Sequence, residues 1–328
     1  VIFLTVPRRI VFAVAAMVLL QAGALAQSDK VYHVGLVAGG APDTGILGPG
    51  MVRDFARRGY IVERNIVFEP RSAQGKLDRL PGFIDELVAK HVDLIITQGY
   101  PAAFAAKERA GTTAIVVTQS GDPVATGLAT SLARPGGNIT GVSEVASELS
   151  AKRLVLLREA VPSVRTVAVL WNADDVGMTL RYQAAEIEAK RSGMTIVPLG
   201  VHAPDDFETA FGEMTKKMPD AILMVTDILT VLNRKRVIDF AAEHRLPAIY
   251  EYGFLVKDGG LMSYGPDVDT IFDRAAGLAD RILKGANPAD LPLELPTRFQ
   301  FAVNLKTAKA IGLTIPEAIL LRADDVIE

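Results

Sequence analysis

The chain of 328 residues contains no cysteine. That absence excludes disulfides, a thiolate metal site, a thiol nucleophile and an N-terminal lipid-anchored Cys. Histidine is scarce: His33, His91, His202 and His244 are scattered without metal-ligand spacing. His91 and His244 each close a helical stretch ahead of a strand, where the negative end of the helix dipole accounts for them. There is no Lys/Arg-rich block, and the net charge is −3. Mild acidity without a basic stripe argues against nucleic acid as a partner. The patterns G-x-x-x-x-G-K-[ST], G-x-S-x-G, H-E-x-x-H and G-x-G-x-x-G are all missing, so neither a catalytic centre nor a cofactor or metal site is expected. The acidic pairs Asp174-Asp175, Asp205-Asp206 and Asp324-Asp325 read as helix caps and solvated first turns rather than catalytic dyads.

Long apolar runs are also few. Ile10–Leu20 is interrupted by Gln21, too short for a membrane span. Preceded by Arg8-Arg9 and followed by Ala24-Leu25-Ala26, it has the layout of a cleaved secretory signal over residues 1–26, with the mature chain starting at Gln27. Arg8-Arg9 and Phe12 also resemble a twin-arginine export signal. Cleavage removes two positive charges and no negative ones, taking the net charge from −3 to −5. The expectation is a soluble, secreted, periplasmic protein.

What the chain does contain is α/β alternation. Val31–Val37, Asn65–Phe68, Asp93–Thr97 and Ala114–Thr118 read as buried parallel strands, with Leu77, Leu80, Ile84, Leu87 and Val88 at helical spacing between them. A second set follows: Thr166–Trp171, Thr195–Leu199, Ala221–Val225 and Pro247–Tyr250, with helices over about 176–192, 205–217 and 229–244. The two sets echo each other, His91–Ile96 resembling Met218–Leu223. The expected fold class is therefore α/β, two Rossmann-like lobes with parallel sheets. A further strand at 259–266, a helix at 267–284, a Pro-rich connector at 287–296 and a last strand at 298–303 imply that the chain crosses between lobes more than once. We expect residues 27–145 plus 259–285 in the N-terminal lobe and 146–258 plus 286–328 in the C-terminal lobe.

In open parallel sheets, ligands bind beyond the carboxyl ends of strands. That rule selects Gly39, Gln98, Gly99, Tyr100, Gln119, Ser120, Asp122, Ser143, Trp171, Asn172, Asp227, Glu251, Tyr252 and Tyr264 as candidate ligand-binding residues. The set suits a small zwitterion or polar aromatic, with Asp122 or Glu251 for an ammonium and ring faces for an apolar body. No Lys or Arg falls at these ends, which disfavours phosphate. The stretch ARPGGNITGV, residues 133–142, could be a phosphate cradle, but its glycines follow a predicted helix over 123–132 rather than precede one. It reads as helix stop, turn and fifth strand.

Gly121-Asp122-Pro123-Val124, Gly127-Leu128, Ser131 through Ser143, Lys152-Arg153-Leu154, Arg245 through Tyr250, Gly259 through Gly265 and Asn304 through Lys309 resemble the ABC-transporter substrate-binding family associated with tryptophan/tyrosine uptake. The resemblance implies a type I periplasmic-binding-protein fold, its lobes joined by a three-segment hinge and closing on a small ligand. It further implies a permease and an ATPase at the inner membrane as partners; the chain itself is expected to be a monomer. Gln98-Gly99-Tyr100 and Gln119-Ser120 depart from the smaller residues common in relatives. A ligand-sensing module for a membrane receptor, or an enzyme on the same fold, are the alternative readings.

Overall fold

The computed structural model describes residues 30–42 and 45–328, so the expected signal at 1–26 lies outside the described residues. Two sheets organise them. The first is wholly parallel in the order β2-β1-β3-β4-β5, formed by β1 (Tyr32–Ala38), β2 (Ile66–Ser72), β3 (Leu94–Gln98), β4 (Ala114–Thr118) and β5 (Ile139–Gly141). β3 and β4 are near-continuous apolar runs because helices cover both of their faces. The second sheet has the order β12-β11-β10-β9-β8-β6-β7, with β6 (Thr166–Asn172), β7 (Thr195–Val201), β8 (Ala221–Met224), β9 (Ala248–Tyr250), β10 (Met262–Pro266), β11 (Phe299–Asn304) and β12 (Asp325–Ile327). Only the β10/β11 pair is antiparallel.

The lobe boundaries differ from expectation in two places. Residues 259–266 do not join the first lobe: β10 pairs with β9 and β11 in the second sheet. The physical reason is close backbone approach, since a Cβ on Gly265 would lie 2.2 Å from the Glu251 carbonyl oxygen. Helix 268–283 then returns to the first lobe, where Ile271, Phe272, Ala275 and Ala279 pack with Phe55 and Leu94. Burying each of its larger apolar side chains is worth about 1.5–3 kcal/mol. The connector 286–296 also stays with the first lobe. Leu291 and Leu293 are buried in its clusters, and Glu294 bridges to Val142 beyond the end of β5. The chain thus crosses between lobes three times, after β5, after β10 and after Glu294.

The predicted helix over 123–132 does not form. The Asp122 carboxylate accepts N–H bonds from Val124 and Ala125, Thr126 N–H reaches the Asp122 carbonyl at 3.0 Å, and Gly127 at φ +76° ends this single turn. Gly136-Gly137 therefore sit in an irregular turn ahead of β5 rather than at a helix end. Among the second-lobe helices, the predicted segment 229–244 divides at Asn233 into 228–232 and 234–243.

Candidate ligand-binding cleft

Between the lobes lies a cleft of about 680 Å³, within the range of about 300–1,000 Å³ usual for small-molecule sites. The first lobe contributes the ends of β3 and β4, the start of helix 100–109 and the start of helix 268–283, including Gln98, Gly99, Tyr100, Gln119 and Phe272. The second contributes Asp175, Met178 and Arg181 from helix 176–191 and its cap, Thr226, Asp227 and Ile228 beyond β8, and Tyr252 and Phe254 beyond β9. Apolar side chains and rings dominate this wall. Tyr252 and Phe254 stack at 6.0 Å, and Tyr100 packs on Phe104 at 5.8 Å. Helix 100–109 starts at Gly99 without a side-chain cap, and since Pro101 has no N–H, the N–H groups of Tyr100 and Ala102 are the donors it can offer at the cleft.

Beneath the second-lobe wall runs a buried charged network. Arg153 and Arg181 donate to opposite oxygens of Glu251, each at 2.8 Å, and Arg181 also reaches Glu144 at 3.2 Å. All four side chains are 2 % exposed. Arg153 further donates to the Tyr264 carbonyl at 2.6 Å, while Tyr252 donates its hydroxyl to Glu144 at 2.5 Å. Glu144 stands in the first crossing, and its oxygen also accepts Gly121 N–H from the first lobe at 3.2 Å. Burial pushes the Glu144 carboxyl above the usual carboxylate range, with Arg181 opposing. Burial also opposes the charge on Arg181, but two flanking carboxylates outweigh it and hold its pKa up. Arg153, whose one carboxylate partner among the described residues is Glu251, is lowered by burial. Next to Glu144, Val145 adopts φ +46°, ψ +40° as it enters helix 146–160; a β-branched residue there is strained.

The structure divides the candidate residues. Gln98, Gly99, Tyr100, Gln119, Asp227 and Tyr252 line the cleft. Gly39 borders it at the lobe interface, where a Cβ would come 2.9 Å from Ile228. Asn172 supports the wall by donating to Asp227 at 2.6 Å. The remaining six lie elsewhere. Ser120 is fully buried, Ser143 is buried in the first crossing, and Asp122 caps its turn. Trp171 lies over Gly200 of the neighbouring strand and stacks on Tyr182 at 4.0 Å, inside the core. Tyr264 packs against Phe299 and Phe301. Glu251 has both oxygens occupied by arginines and is closed to a ligand ammonium. Sequence reasoning missed Arg181 and Asp175, because a helix and its cap, rather than a strand end, bring them to the cleft. The absence of a basic group at the strand ends therefore did not mean its absence from the cleft wall.

The chain is 26% identical over 264 residues to a tyrosine-binding protein of Clostridioides difficile, covering 80% of this chain and 76% of that one. A solved structure from Streptococcus pneumoniae, described as an ABC domain in complex with L-Trp, superposes with TM-score 0.84 at 24% identity, covering 91% of this chain and 100% of that one. A conserved domain protein from Vibrio cholerae gives TM-score 0.84 at 24% identity, covering 90% and 100%. These likenesses bear out the two-lobed type I periplasmic-binding-protein fold. The family model described as "ABC transporter substrate binding protein" matches residues 48–327, and the chain belongs to that family.

Proposed function

We propose that the protein captures an amino acid with an aromatic side chain in the interlobe cleft and delivers it to an ABC permease and ATPase at the inner membrane, working from the periplasm as a monomer. The observation that carries this reading is the composition of the cleft: rings and aliphatic side chains from both lobes, set beside polar and charged groups such as Gln98, Gln119, Asp175 and Thr226. The open start of helix 100–109 suits the ligand carboxylate, while Tyr100, Tyr252, Phe254 and Phe272 suit its ring. The tyrosine and L-Trp named for the relatives agree with this chemistry. Closure follows from differential contact: a ligand touching both walls favours the state in which the lobes meet.

Native mass spectrometry of gently purified protein, followed by thermal-shift titration with amino acids, tests the proposal. The expected result is a retained small molecule and a rise in melting temperature with aromatic amino acids, because a ligand of the folded state stabilises it. Absence of any shift with amino acids would refute the ligand class, and consumption of the ligand would refute binding without turnover.

A further inference from the structure

The charges around the cleft do not balance. Arg153 and Arg181 are matched by Glu144 and Glu251 in the buried network. Asp227 lines the cleft but is occupied: Oδ1 accepts from the Thr230 backbone at 2.9 Å, and Oδ2 accepts from Asn172 at 2.6 Å. Asp175 is different. It is 4% exposed and lines the cleft, and its Oδ1 caps helix 176–191 by accepting from Gly177 at 2.7 Å and Met178 at 3.2 Å. Among the described residues, nothing donates to its Oδ2, and no Lys, Arg or His forms an ion pair with it. A second polar group waits in the same wall: Thr226 is 6% exposed, and its hydroxyl is buried without a hydrogen-bond partner. The unpartnered Thr226 hydroxyl is costly to leave buried, and both it and the free Asp175 oxygen can accept from a cationic donor.

We propose that Asp175 is the counter-ion of a ligand ammonium, and hence the residue that admits amines and rejects the corresponding acids lacking an amino group. This rests on the amino-acid reading of the cleft and assigns to Asp175 the role that sequence spacing gave to Asp122 or Glu251. Burial and then the neighbouring Asp227 push the Asp175 carboxyl above its ordinary range, with the helix N–H groups and Arg181 opposing only in part, a bias that a bound cation would reverse.

Isothermal calorimetry with three probes sharing one ring tests the inference: L-tyrosine, tyramine and 3-(4-hydroxyphenyl)propanoate, against wild type, Asp175→Asn and Asp175→Ser. Asn and Ser both cap helices well, so the fold is retained without the charge. Losing one partner of a buried charge pair should weaken tyrosine by about 100-fold in both variants, with propanoate binding unchanged or improved. Equal weakening of tyrosine and propanoate would assign Asp175 a structural role only, overturning the inference while leaving the amino-acid reading intact. If tyramine binds wild type but tyrosine does not, and the variants lose tyramine, the counter-ion stands and the amino-acid reading falls. Failure of both amine-bearing probes to bind wild type overturns both.

Discussion

Glu251→Gln should be among the most damaging single-atom changes available in this chain. Glu251 holds two guanidinium groups, each at 2.8 Å and each 2% exposed. Replacing one oxygen by an NH₂ turns a donor toward an arginine and removes the charge that offsets both. Breaking a buried pair costs about 3–5 kcal/mol, chiefly because the surviving cation stays out of water. At about 2–4 °C per kcal/mol for a unit of 150–250 residues, the second lobe should melt about 6–20 °C lower. Glu144→Gln provides the internal comparison. Glu144 meets only one arginine, at 3.2 Å, and burial already disfavours its charge, so its amide should cost about 1–2 kcal/mol. Differential scanning calorimetry of the ligand-free variants measures both. A Glu251→Gln protein that melts no lower than Glu144→Gln would refute the argument that two desolvated guanidinium groups depend on this one carboxylate.

Three further outcomes are expected. Asp175→Asn should raise the melting temperature of the ligand-free protein by a few degrees at neutral pH. The raised carboxyl makes the native state retain a proton that the unfolded chain releases, so wild-type stability rises as pH falls through the native pKa toward the usual carboxylate range, and the variant's advantage disappears there in a pH series of thermal melts. Gly39→Val should hold the lobes apart, because even a Cβ would meet Ile228 at 2.9 Å and Leu77 at 3.0 Å; small-angle scattering with ligand present should show a larger radius of gyration than wild type, and affinity should fall about tenfold or more. Trp171→Phe should leave ligand affinity within about twofold, since the indole stacks on Tyr182 in the core; a larger loss in calorimetric titration would place Trp171 in the binding wall after all.

The strands were legible because pattern and burial agree: β3 and β4 open on apolar runs, Leu94–Ile96 and Ala114–Val117, and helices sit on both faces. The cap at Asp175 was legible too, but its burial was not. Tyr100, whose hydroxyl pKa Asp175 helps to raise, belongs to the opposite lobe. Arg181 looks locally like a solvated helix residue; its partners Glu144 and Glu251 lie 37 and 70 residues away. Trp171 and Tyr264 misled because the rule of strand ends says where a residue stands along a strand, not which face it takes. The break at Gly127 shows local turn chemistry prevailing over apolar spacing in 123–132.

Helix 268–283 has a consequence for how the molecule is made. It covers a face of the first sheet and is tied there by Arg58, which donates to Asp273 across 215 residues of sequence at 2.8 Å. A nascent chain emerging from the ribosome must therefore expose Phe55, Leu94 and their neighbours until the entire core strand set of the second lobe, apart from β11 and β12, has been synthesised. The lobe that is translated first is completed late, and its closure is the kind of non-local contact that slows folding. Chaperone capture during synthesis should accordingly concentrate on this early, uncovered sheet.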